Sequence, residues 1–152
     1  YISAYEVGAW AMAEVGAGRA WNLLPGTPTR SGNQITIPVS VRGDESLTTV
    51  SGVYTNYGGD PANLGLEAVG GCTITAASVS GGNIIVNVSG TVTAIRYAMQ
   101  QSATDYRTLT DANSEGYCAH RGLIRTTLTR TVTWGGQAFA VERWAPSFEV
   151  PV

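Results

Sequence analysis

Strict alternation of apolar and polar residues along the chain marks residues 34–42 and predicts a strand there. In QITIPVSVR, the apolar side chains of Ile35, Ile37, Val39 and Val41 alternate with polar ones, which is the period of a strand with one buried face. Pro38 has no amide hydrogen, so this strand is predicted to lie at a sheet edge or to contain a bulge. Further strands are predicted at 47–54, 64–69, 73–79, 83–88, 91–99, 122–134 and 137–144.

Turn signals such as GGDPAN and SGGN separate these short strands, and no helical period interrupts them. The 19 glycines and the charged fraction of only 13% agree with a mainly β chain rich in tight turns. Seven or eight such strands predict an antiparallel β-sandwich, either jelly-roll or immunoglobulin-like.

Residues 1–18 follow a helical period and precede the predicted sandwich. One face of this helix carries only apolar side chains, and further apolar residues widen the arc around most of the circumference. The face consists of Ile2, Tyr5, Ala9, Met12 and Ala13. A single sheet covers about half of a helix, so residues 2–15 are expected to contact an upstream domain, another protein or a second copy.

A change of composition separates this helix from the strands. Gly16 and Gly18 are expected to end the helix, and Pro25, Gly26 and Pro28 give residues 19–32 the composition of a linker. We therefore divide the chain into a helix at 1–18, which we expect to be the remnant of an upstream domain, a linker at 19–32 and a β-sandwich domain at 33–152.

Charge and cysteine content narrow the classes of partner. The net charge is −2 and the nine basic residues, all arginines, are scattered, so a nucleic-acid surface is not expected. No apolar run reaches the length of a membrane span, and no membrane insertion is expected. Cys72 and Cys118 form either one disulfide or two buried thiols.

No catalytic set emerges from the residues. GDES at 43–46 differs from the Gly-Asp-Ser turn of SGNH-type esterases by an inserted glutamate, and we interpret it as a β-turn. Such enzymes carry their histidine in an Asp-x-x-His pattern, but the residue three positions before His120 is Tyr117, so the pattern does not match. Cys118 and His120 provide only two metal ligands, whereas stable zinc sites use three or more, so neither a metal nor another cofactor is predicted.

Three aromatic residues are candidates for glycan binding. Trp134 beside a Gly-Gly turn, together with Tyr106 and Tyr117 in a long loop near 100–120, are candidates for a platform on which sugar rings stack. The alternative is that the aromatic side chains of the chain fill its core.

Taken in order, the segments resemble a known family. The helix followed by GRAWNLLPGTPTRSGNQITIPVSV, NLGLEAVGG, ITAASVSGGNIIVNVSG, IRYAM and RGLIRTT resembles the C-terminal part of phage-encoded SGNH-hydrolase-like, or sialate-esterase-like, proteins. This chain differs in having Leu66 for a phenylalanine and Leu123 and Ile124 for Asn-Leu, and it holds none of the catalytic residues. The resemblance implies that residues 1–16 are the last helix of a hydrolase domain.

Three functions follow as hypotheses. The favoured one is a non-catalytic module of a phage virion protein, a head spike or tail component that attaches, oligomerises as a homo-oligomer or recognises host surface glycan outside the cell. The second is the accessory domain of a carbohydrate O-deacetylase of the SGNH type, whose catalytic domain precedes this chain. The third is an ordinary secreted immunoglobulin-like domain.

Overall fold

The computed structural model describes residues 2–55, 59–99 and 122–152, with side chains except those of residues 2–6 and Trp134. One helix precedes eight strands in this part of the chain. The elements are α1 (Ile2–Gly16), β1 (Thr29–Ser31), β2 (Gln34–Pro38), β3 (Leu47–Thr49), a 3₁₀ turn (Ala62–Gly65), β4 (Leu66–Ser80), β5 (Asn83–Tyr97), β6 (Ile124–Trp134), β7 (Gln137–Trp144) and β8 (Phe148–Pro151).

Two antiparallel sheets form the body. The larger sheet has the order β1-β2-β5-β4, and β8 pairs with β5 beyond the end of β2. The smaller sheet has the order β3-β6-β7. The mainly β sandwich preceded by one helix is thereby confirmed.

Apolar side chains from both sheets meet in one core. Ile35 and Ile37 of β2 are fully buried, as the alternation predicted, and Leu47 and Ile124 are contributed by the smaller sheet. Pro38 is the last residue of β2, where its missing N–H costs little. The predicted linker at 19–32 contains both the buried Leu23 and strand β1.

Strands β4 and β5 each run for 15 residues, although the sequence predicts two short strands in place of each. That part of the prediction is wrong. Gly70 and Gly90 lie within these strands at φ +118° and +90°, and they bend the hairpin without ending the pairing. A Cβ on Gly90 would lie 2.2 Å from the carbonyl oxygen of Gly71, so the close approach requires glycine.

Register shifts in the same hairpin keep apolar side chains on the core face. The pairing skips Thr93 in β5, since Val69 pairs with Ala94 and Gly70 with Val92. An unpaired residue exchanges the two faces of a strand, so Val92 and Ile95 are both buried despite their odd spacing.

Candidate functional site

Two of the three residues predicted for glycan binding, Tyr106 and Tyr117, lie outside the described residues. Trp134 ends β6, pairs with Gln137 of β7 and precedes a turn in which Gly135 and Gly136 both have positive φ. Its side chain is outside the description as well. The glycan platform therefore stays a prediction, as does the state of Cys72, because Cys118 also lies outside these ranges.

The GDES segment forms the expected turn. The amide of Glu45 donates to the carbonyl oxygen of Arg42 at 3.0 Å, which closes a β-turn over Gly43 and Asp44. Ser46 follows the turn and accepts a backbone hydrogen bond from Thr127 at 2.9 Å. The turn delivers Glu45, and not the serine, to the interior.

Charged side chains converge between helix α1 and the sandwich, and sequence reasoning missed them. We call them the charged cluster; they are Glu14, Arg19, Arg42, Glu45 and Arg143. They come from α1, the segment that follows it, the turn before β3, and β7. Charged side chains are rarely buried unless they are paired, and here each one has at least one partner.

Arg143 is the centre of the cluster. Its side chain is only 3% exposed, and its Nη1 donates to Glu45 Oε2 at 2.6 Å. Its Nε donates to the carbonyl oxygen of Trp21 at 2.6 Å, and its Nη2 to that of Ala20 at 3.4 Å. The guanidinium carbon also lies 5.4 Å from the centroid of the Trp21 ring, within the range of a cation–π contact. One side chain of β7 thus fixes the segment that follows the helix.

Arg42 links that centre to the helix. Its Nε lies 2.6 Å from Glu45 Oε1, and its Nη1 donates to Glu14 Oε2 on α1. Arg19 also donates to both oxygens of Glu14, at 2.6 and 3.0 Å. A continuous chain of ion pairs therefore runs from α1 to β7.

The arginines set the protonation of Glu14. The hydrogen bond from Arg19 is the largest influence, and with Arg42 and Trp10 it outweighs the opposing effect of burial and lowers the pKa of Glu14 to about 2. The same contact raises the pKa of Arg19. Glu14 is ionised at neutral pH and holds its charge against two guanidinium groups.

An aromatic pair covers this chain of charges. Trp10 of α1 is buried and meets Trp21 edge to face, with ring centroids 5.0 Å apart and an interplanar angle of 73°. The Trp10 Nε1 donates to Glu14 Oε1 at 3.3 Å. Trp10 and Glu14 are separated by four residues, so both lie on the face of α1 that packs on the sandwich.

The opposite face of α1 has no cover among the described residues. Met12 is 77% exposed and Val15 62% exposed, and Ala9 and Ala13 are exposed with them. Beside Val15 an open groove of about 510 Å³ is lined by Arg19, Trp21 and Leu24, and Leu24 is itself 55% exposed. We call Ala9, Met12, Ala13, Val15 and Leu24 the apolar patch. It carries no charged side chain.

The described ranges hold neither a cluster of metal ligands nor a membrane-spanning helix. No three His, Cys, Asp or Glu side chains converge there in a way that suits a metal ion. No described helix has both the length and the hydropathy needed to cross a membrane. Comparison with protein-family models, with curated proteins and with solved structures found no match.

Proposed function

We propose that this chain is a non-catalytic attachment or assembly module, which joins a larger protein or particle through the apolar patch. The single observation that carries the proposal is the orientation of α1. Its charged Glu14 faces the sandwich, while Ala9, Met12 and Ala13 face outward. A solvated helix normally has the reverse arrangement, with its apolar residues inside.

The charged cluster supports this role because it fixes the helix in one orientation. A helix attached only by apolar contacts slides or rotates at small cost, whereas the fork of Arg19 and the contact from Arg42 position the carboxylate of Glu14. A rigidly held apolar face loses less conformational entropy when it binds a partner.

The resemblance to phage SGNH-hydrolase-like proteins is what assigns the module to a virion, as part of a head spike or tail component outside the cell. Glycan recognition by Trp134, Tyr106 and Tyr117 belongs to the same proposal. Binding of labelled host-surface oligosaccharides to the wild-type chain and to a Trp134→Ala variant tests that part separately.

Oxidation of methionine tests the assembly role directly. Met12 is 77% exposed in the isolated chain and Met99 is 38% exposed. Dilute peroxide should oxidise Met12 readily in the isolated chain and severalfold more slowly in the intact assembly from its source, because a partner covers the patch there. Met99 is the internal reference. Equal rates for Met12 in both samples contradict the proposal.

A matched pair of variants provides a second test. Met12→Glu should prevent incorporation into the assembly without changing the stability of the isolated chain, since Met12 makes little contact with it. Thr29→Glu adds the same charge at an exposed position of β1 and should incorporate normally. Normal incorporation of Met12→Glu refutes a role for the patch.

The same outward apolar face also fits the second candidate, an accessory domain of an SGNH-type O-deacetylase, in which the partner is the hydrolase domain that precedes α1. Peptide sequencing of the native polypeptide, combined with esterase assays on acetylated glycans, separates the two. A Gly-Asp-Ser region and Asp-x-x-His upstream, with activity, favour the deacetylase.

A further inference from the structure

Strands β6 and β7 extend beyond the sandwich as an arm, which we define as residues 127–141. Strand β3 pairs with β6 from Ile124 to Thr126, and the amide of Thr127 still donates to the carbonyl oxygen of Ser46. From Thr129 onward the two arm strands pair only with each other in the described part of the chain. An isolated two-stranded hairpin is at best marginally stable in water. Among the described residues, the arm therefore lacks the third strand that a stable sheet needs.

The core-side face of the arm is only partly covered by the described residues. Val132 and Phe139 are directly paired on the face that carries the buried Val141, and Phe139 is 40% exposed. These side chains continue the pattern of the core past the point where the core ends. Apolar cross-strand pairs of this kind stabilise a sheet when a neighbour covers them.

The outer edge of β6 is the open edge best suited to pairing. Strand β4 is also an edge strand, but two register shifts and the bend at Gly70 interrupt it, which are devices that hinder edge-to-edge contact. Strand β7 contacts α1. A register shift lies between Arg125 and Thr129, but residues 129–134 of β6 pair regularly and contain no proline, and Arg130 is their one charged residue.

The order of residues in β6 is self-complementary. Around Val132 the sequence reads Arg-Thr-Val-Thr-Trp, with a threonine on each side of the valine. We propose that the free edge of β6 pairs antiparallel with β6 of a second copy of this chain, with the two-fold axis at Val132. We choose a second copy as the partner because a two-fold symmetric contact requires a surface that complements itself, and the Thr-Val-Thr segment of this edge is complementary to itself.

Charge is compatible with the axis at Val132 and disfavours an axis at Arg130. With the axis at Val132, Thr131 lies opposite Thr133 of the second copy and Arg130 lies opposite position 134, so the two arginines are four positions apart, about 13 Å along the strand. An axis at Arg130 would place two guanidinium groups directly opposite each other, which is unfavourable. The dimer sheet has the order β7-β6-β6-β7, and each arm gains its third strand.

This contact is separate from the apolar patch, so the two proposals fail independently. Sedimentation equilibrium over a concentration series should show a dimer for the wild-type chain. Val132→Lys brings two ammonium groups together at the axis and should weaken the dimer by about tenfold or more. Ala138→Lys adds the same charge on β7, away from the β6 edge, and should dimerise as the wild type does.

A variant that adds no charge tests the same contact even if the lysine variant misfolds. A cysteine at the two-fold axis faces its own copy at a Cα separation that a disulfide spans, about 4.4–6.8 Å. Val132→Cys should therefore give an oxidised dimer whose linkage mass spectrometry maps to 132–132, whereas Ala138→Cys should not. A monomeric wild-type chain, a dimer unaffected by Val132→Lys, or the absence of the 132–132 linkage overturns the proposal.

Discussion

Replacement of Arg143 by methionine is the most direct test of the charged cluster. The substitution keeps most of the side-chain length and removes the guanidinium group. It deletes the hydrogen bonds to Glu45, Trp21 and Ala20 and the cation–π contact with Trp21. Glu45, whose side chain is 0% exposed, then keeps only Arg42 as a charged partner.

The expected loss is large because the partners are buried. Removal of one member of a buried ion pair typically lowers the free energy of unfolding by about 3–5 kcal/mol, since the remaining charge stays in the interior without compensation. Three hydrogen bonds from a charged donor at about 1.5–3 kcal/mol each give an upper bound above this range. We expect a loss of about 3–5 kcal/mol for Arg143→Met.

Urea denaturation at pH 7 measures this loss, and a double-mutant cycle with Glu45→Gln separates the pair from its surroundings. The double variant should be less destabilised than the sum of the single variants, because Glu45 no longer carries an unpaired charge. Arg30→Met, at an exposed position of β1, is the control and should change stability by less than about 0.5 kcal/mol. A loss below about 1 kcal/mol for Arg143→Met refutes the reasoning.

Three further outcomes follow from the structure. The pKa of Glu14 in the folded chain is lowered to about 2, so its contribution to stability is present above the ordinary pKa of 4.5 and disappears as the pH falls through about 2. The free energies of unfolding of the wild-type chain and of Glu14→Gln should therefore differ at pH 7 and converge near pH 2. Gly90→Ala should lower the free energy of unfolding by about 2 kcal/mol or more through strain at positive φ and contact with Gly71, and equal thermal midpoints would contradict the bend. Tyr97→Phe should lower it by about 1–3 kcal/mol in urea, because the buried hydroxyl bonds both the N–H and the carbonyl of Ile124; an unchanged midpoint would count against this role.

The strands show where sequence reasoning succeeds and where it stops. Alternation identified β2 because Ile35 and Ile37 point inward without interruption. It divided β4 and β5 because Gly70 and Gly90 resemble chain breakers, and because an unpaired residue exchanges the two faces. A single sequence does not tell whether a glycine ends a strand or bends it, since the answer depends on the partner strand across the ladder.

The charged cluster could not be predicted from the sequence for a related reason. Arg143 is two residues from the buried Val141, so the alternation of β7 does place it on the inner face. That signal is local and available in the sequence. Its partner Glu45 lies 98 positions away, and Glu14, which joins the cluster through Arg42, lies 129 positions away. Only the packing of α1 against the sandwich brings the three together.

The orientation of α1 joins these observations. The sequence predicts a helix with apolar residues around most of its circumference, and Trp10 and Glu14 lie off its apolar face of Ile2, Tyr5, Ala9, Met12 and Ala13. The structure uses those two residues for the contact with the sandwich, where arginines and a second tryptophan meet them. If the only role of the helix were to cover the sandwich, its most apolar face would be turned inward. The inner face meets the sandwich through Trp10 and Glu14, and the outer face is apolar and uncovered among the described residues, so the binding partner that we propose accounts for a pattern that packing on the sandwich alone does not.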